Sequence, residues 1–107
     1  MNIINAQQLK QRLDTREPFL LINAMEENKF RAKHIPGSLN ICRKEDIEKM
    51  LKKDDDIVVY CTDLACKKSV LLYQLLELMG YAHICRFAGG MKEWEEAGYL
   101  LVGEMLS

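Results

Sequence analysis

The residues best suited to chemistry stand together in one segment, Cys61-Thr62-Asp63-Leu64-Ala65-Cys66-Lys67-Lys68-Ser69. Cysteine acts as a nucleophile only as the thiolate, so the surroundings of Cys61 decide what it can do. A loop feeding a helix N-terminus supplies free backbone N–H groups and the positive end of the helix dipole, which lower a thiol pKa. Lys67 and Lys68 add positive charge beside the thiol, while the Asp63 carboxylate works against it. This pattern points to nucleophilic or redox chemistry centred on Cys61. Cys66 is either a resolving thiol that closes a disulfide with Cys61 or an apolar residue packed under the helix start. The lysines are either anion ligands or solvated surface, and Ser69 either bonds the loop or simply belongs to the first helical turn.

Two elements must hold that segment. Ile57-Val58-Val59-Tyr60 is a β-branched and aromatic run behind Asp54, Asp55 and Asp56, as expected of a buried strand. The helix expected from about Ser69 to Met79 is apolar almost all round and closed by Gly80, so it should be largely covered. Cys61 therefore belongs at the carboxyl end of a strand, the edge at which open α/β sheets bind ligands.

The remaining sequence sets the frame. A chain of 107 residues, 49% hydrophobic and 29% charged, suits one compact domain over residues 1–107. Lys and Arg number 15 against 16 Asp and Glu, so charge gives no case for nucleic acid or an anionic membrane surface. No apolar run approaches the about 20 residues that cross a bilayer, and Met1 to Gln8 does not read as a secretory signal. A cytoplasmic protein is expected. The cysteines at 42, 61, 66 and 85 contain no C-x-x-C pair, and His34 and His83 stand alone, so neither a disulfide framework nor a zinc site is expected. No metal or organic cofactor is implied.

In chain order, Asn5 and Gln8 form a capping box for a short helix carrying Leu9 and Leu13, which Pro18 ends. Phe19 to Ile22 is a strand, and Glu26 to Lys33 a turn or two of surface helix. Ile35-Pro36-Gly37 is a turn before a strand at Leu39 to Ile41, and Arg43 to Leu51 is a helix. His83 to Phe87 is a further strand; Gly89-Gly90 opens a last helix ended by Gly98. Strands alternating with helices predict a mostly parallel sheet with helices on both faces. Cys42 and Cys85 are expected to pack, His34 to brace the Pro-Gly turn, and Trp94 to anchor helix on sheet.

Three stretches together resemble the rhodanese family: Leu20-Leu21-Ile22-Asn23-Ala24 with His34-Ile35-Pro36-Gly37-Ser38-Leu39-Asn40-Ile41; Val58-Val59-Tyr60-Cys61; and Gly89-Gly90-Met91-Lys92-Glu93-Trp94 with Ala97-Gly98. The resemblance implies a single rhodanese-like domain with a five-stranded sheet. It also implies a sulfurtransferase whose Cys61 takes sulfane sulfur from a small donor as a persulfide and passes it to a thiol or cyanide acceptor, a partner protein's thiol included. Loop N–H groups would cradle the anion. The loop departs from the common C-x-x-G-x-R-S form and is similar to a C-x4-C-x2-S subgroup. It has no arginine, which removes bidentate binding of an oxyanion such as thiosulfate. Asn23 and Met25 replace the family's D-x-R, a change expected to alter local hydrogen bonding and keep the fold. Two alternatives follow: a thiol-redox or sulfur-carrier module using Cys61 and Cys66, and a phosphatase or arsenate reductase, because Cys61 and Lys67 form a C-x5-K arrangement.

Overall fold

Five short strands, all parallel, form the centre of the computed structural model, which describes residues 1–106. In chain order the elements are β1 (Ile3–Ile4), α1 (Ala6–Asp14), β2 (Leu20–Asn23), α2 (Glu27–Ala32), β3 (Leu39–Asn40), α3 (Ile47–Met50), β4 (Ile57–Tyr60), α4 (Lys68–Leu78), β5 (Ile84–Phe87) and α5 (Gly90–Glu96). The sheet order β1-β5-β4-β2-β3 puts β4 in the middle, so Cys61 leaves the central strand.

The pleat explains the core. Ile57, Val59, Ile22 and Ile84 point to one face and pack with Ile47 of α3 and Leu72, Tyr73 and Leu76 of α4. Val58, Tyr60, Leu21 and Phe87 point to the other and pack with Ala6 and Leu9 of α1 and Met91 and Trp94 of α5. Period-two alternation therefore feeds two cores, one on each side of a sheet buried on both faces. The chain leaving β4 turns to α4 on the first face, and the chain leaving β5 turns to α5 on the second. Diverging connections of this kind open a gap at the carboxyl edge of the sheet.

Local signals account for the helix ends. The Asn5 side chain accepts from Gln8 N–H at 2.8 Å and the Gln8 side chain accepts from Asn5 N–H at 2.9 Å, completing the capping box. Gly80 and Gly98 take the left-handed conformation just past α4 and α5, with φ of +94° and +83°.

Three expectations need correction. The segment Arg43 to Leu51 is not one helix: a 3-10 turn at Lys44–Asp46 precedes a single α-helical turn at Ile47–Met50. α4 is not covered all round, since Leu71 and Leu78 are 63% and 86% exposed. Tertiary packing claims one face of an apolar helix and leaves the rest to solvent. The fifth strand of the expected sheet has no assigned place in the sequence; it is β1, two residues long, which exists through Asn2, whose N–H reaches the Tyr73 hydroxyl at 3.0 Å and whose carbonyl accepts from Arg86 N–H at 2.7 Å.

Candidate active site

Cys61 sits at the carboxyl end of β4 and is 2% exposed. Its sulfur is bonded to that of Cys66, with the two Cα atoms 6.3 Å apart. Cys66 is half-buried, whereas Thr62, Leu64, Ala65, Lys67 and Lys68 are exposed and Asp63 is partly so. The pair thus has an inner sulfur and an outer one.

Asp63 folds the loop. Its Oδ1 accepts from the N–H of Ala65 at 3.0 Å and of Cys66 at 3.1 Å, and the Cys66 N–H also reaches the Asp63 carbonyl at 3.2 Å. This is the local carboxylate-to-backbone turn that aspartate favours, and it brings Cys66 back over Cys61. Two N–H groups expected to face a bound anion are therefore already taken. The first turn of α4 keeps its N–H groups, because Lys67 at the N-cap makes no side-chain cap.

Ser69 is 1% exposed, and its Oγ accepts from Nε of Arg86 on β5 at 3.0 Å. Sequence reading overlooked Arg86; it brings a guanidinium to the start of α4 from the neighbouring strand. Lys68 forms an exposed ion pair with Glu26 at 3.3 Å, which fits a solvated surface more than a built anion ligand.

The opposite wall of the segment is α5. Met91 N–H donates to the Cys61 carbonyl at 3.0 Å and Lys92 N–H to the Thr62 carbonyl at 2.9 Å. Gly90 lets them approach: its φ is +58°, and a Cβ there would collide with the Cys61 carbonyl oxygen and lie 3.0 Å from the carbonyl carbons of Cys61 and Thr62. The Gly-Gly pair was legible only as a helix start; its second glycine in fact admits the backbone that carries the thiol.

Other site expectations divide. The Tyr60 hydroxyl, fully buried, accepts from Ile35 N–H at 3.1 Å and lies 2.8 Å from Ser38 Oγ, fastening the His-Ile-Pro-Gly-Ser turn under β4. Burial raises the Tyr60 pKa above 10.0, against the lowering effect of those hydrogen bonds. Asn23 Oδ1 accepts from Met25 N–H at 2.8 Å, and Asn40 Nδ2 donates to the Met25 carbonyl at 2.8 Å, so an amide network ties the ends of β2 and β3. His34 stacks on Phe30 at 4.0 Å, its Nδ1 lies 2.7 Å from the Phe30 carbonyl, and its backbone pairs with Val102. It braces the end of α2 as well as the turn. Trp94 is buried and donates to the Leu100 carbonyl at 2.8 Å, an anchor as expected. Cys85 packs against the α1–α5 core, but Cys42 is exposed, so its packing role is corrected. Strand alternation at a sheet edge does not tell which face solvent reaches.

Beside Thr62 and Asp63 a cleft of about 780 Å³ is lined by Met25, Met91, Met105, Lys29 and Lys92. A smaller one of about 280 Å³ lies toward α4, against Cys42, Arg43, Lys68 and Leu71.

The sequence matches the Rhodanese-like domain family over residues 5–97. The chain belongs to the rhodanese-like domain family. Solved structures agree in fold. The rhodanese-like domain of an Anabaena protein is 26% identical with a TM-score of 0.86, over 100% of this chain and 83% of that one. The polysulfide-sulfur transferase of Wolinella succinogenes is 18% identical with a TM-score of 0.80, over 99% and 81%. The thiosulfate sulfurtransferase of Pseudomonas aeruginosa is 21% identical with a TM-score of 0.82, over 96% of this chain and 20% of that one. Among curated proteins, none matches. For this rhodanese-like domain, the Gly90 contact and the Asp63 turn are the features that shape the cysteine loop.

Proposed function

We propose that this rhodanese-like domain is a sulfurtransferase that carries sulfane sulfur as a persulfide on Cys61. The observation that carries this reading is the placement of Cys61: at the end of the central strand, at the gap where α4 and α5 diverge, and before a helix whose first N–H groups lack side-chain caps. Two proteins of the same fold are named for transfer from thiosulfate and from polysulfide, which supports the same class of donor here.

The chemistry is ping-pong. The Cys61 thiolate attacks the outer sulfur of the donor, an S–S bond forms, and the donor's own S–S bond breaks to release sulfite or a thiolate. An acceptor thiolate or cyanide then attacks that outer sulfur and regenerates the Cys61 thiolate. The negative charge in both steps lies at the start of α4, where the N–H groups of Lys68, Ser69 and Val70, the helix dipole and Arg86 favour it. Cys61 enters the cycle only after its bond to Cys66 is reduced, which fits a reducing, cytoplasmic setting. Acceptors include small thiols and a thiol of a partner protein.

The Cys61–Cys66 bond itself favours a second reading, a thiol-redox module. The phosphatase or arsenate-reductase alternative draws no support, since the loop holds no arginine and Asp63 occupies two of its N–H groups. Sulfur transfer from thiosulfate or polysulfide to cyanide, followed with reduced protein, separates these readings. Turnover that is lost in Cys61→Ser supports transfer; a protein that cycles only its disulfide supports the redox module.

A further inference from the structure

We propose that Cys66 turns this site into a sulfane-sulfur reductase, discharging the Cys61 persulfide as hydrosulfide; the inference rests on the reading that Cys61 takes up sulfur. The two sulfurs are already bonded across a five-residue separation. The turn made by Asp63 Oδ1 with Ala65 and Cys66 N–H depends on the loop and not on that bond, so it holds Cys66 over Cys61 in the dithiol form as well. A thiol tethered this closely attacks as an intramolecular partner, so it discharges the persulfide whenever no acceptor arrives from solution.

The step balances as follows. The Cys66 thiolate attacks Cys61 Sγ, the Sγ–Sγ bond forms, and the bond from Cys61 Sγ to the outer sulfur breaks. That sulfur leaves as hydrosulfide after accepting two electrons, and the two cysteine thiols are oxidised to the disulfide. A dithiol reductant resets the site. Its first thiolate attacks Cys66 Sγ, the half-exposed sulfur, and releases Cys61 as the leaving thiolate. The reductant's second thiol then closes its own disulfide and frees Cys66. Cys42 and Cys85 are free thiols outside the pair.

The test is a single turnover of fully reduced protein, freed of added small-molecule thiol, with thiosulfate or an aryl thiosulfonate, donors whose leaving groups are sulfite and sulfinate. Hydrosulfide is measured together with peptide mass spectrometry. The expected result is one hydrosulfide per wild-type protein with a Cys61–Cys66 disulfide, and in Cys66→Ser no hydrosulfide and one extra sulfur retained on Cys61. Wild-type protein that keeps its extra sulfur on Cys61, with Cys66 still open to alkylation, overturns the inference and leaves the sulfurtransferase reading standing. Cys66→Ser that takes up no sulfur from either donor overturns both.

Discussion

Replacing Gly90 with alanine tests whether close approach of α5 positions the Cys61 segment. At φ +58° a residue with a Cβ bears the left-handed penalty of about 1–2 kcal/mol. The new Cβ also collides with the Cys61 carbonyl oxygen, so α5 must withdraw and the bonds from Met91 and Lys92 N–H, 3.0 and 2.9 Å, are lost or lengthened. At about 1 kcal/mol each, the total is about 3–4 kcal/mol. For a domain of this size that lowers the melting temperature by at least about 12 °C. Gly98→Ala is the control: its φ is +83°, but no atom stands within 4 Å of the added Cβ, so only the backbone penalty of about 1–2 kcal/mol applies. Thermal unfolding followed by circular dichroism gives both values, and the alkylation rate of reduced protein at Cys61 gives a local readout, expected to rise in Gly90→Ala alone. Equal destabilisation by the two alanines, with Cys61 alkylation unchanged, would refute the argument that Gly90 exists for contact with the Cys61 backbone.

Three further outcomes are expected. Tyr60→Phe leaves the buried Ile35 N–H without its acceptor and should cost about 1–3 kcal/mol in denaturant unfolding. Because burial raises the folded Tyr60 pKa, the unfolded chain loses this proton first; the contribution is full below pH 10.0 and is lost as pH climbs through the folded value. The same variant should therefore flatten the alkaline limb of a stability–pH curve. Asp63→Ala removes the acceptor that holds Cys66 over Cys61 and lets the dithiol loop relax, so dithiol should open the disulfide at a lower concentration, by at most on the order of tenfold because the two hydrogen bonds of about 1 kcal/mol each are lost from both redox forms and only the relaxation of the loop counts. Asp63→Asn keeps the Oδ1 acceptor and should stay near wild type in the same redox titration. Finally, a limiting monothiol added to oxidised protein should be recovered as a mixed disulfide on the Cys66 peptide; recovery on Cys61 would contradict the assignment of inner and outer sulfurs.

Much of the fold was legible because its signals are local. The run Ile57 to Tyr60, the Asn5–Gln8 box and the glycines at 80 and 98 each dictate an element or an end from neighbouring residues alone. What escaped depends on distant contacts. β1 carries no pattern in two residues and forms only because β5 offers an edge and Tyr73 a hydroxyl. The exposure of Leu71, Leu78 and Cys42 follows from which face the sheet leaves open. Asp63 was visible as a charge opposing the thiolate, yet its carboxylate is spent on backbone N–H groups and shapes the loop. Arg86 gave no sign of its place, since the strand residue and the helix start it meets are 17 residues apart.

The central claim, sulfur carried on Cys61, is tested most directly in the Cys66→Ser protein, where the outer sulfur has no internal thiol to remove it. Reduced protein is incubated with thiosulfate or polysulfide and its peptides are weighed. The account predicts one added sulfur on the Cys61 peptide, removed by cyanide with formation of thiocyanate and absent when Cys61 is also replaced by serine. A Cys61 peptide unchanged by every sulfane donor, in protein shown to be folded and reduced, would contradict it.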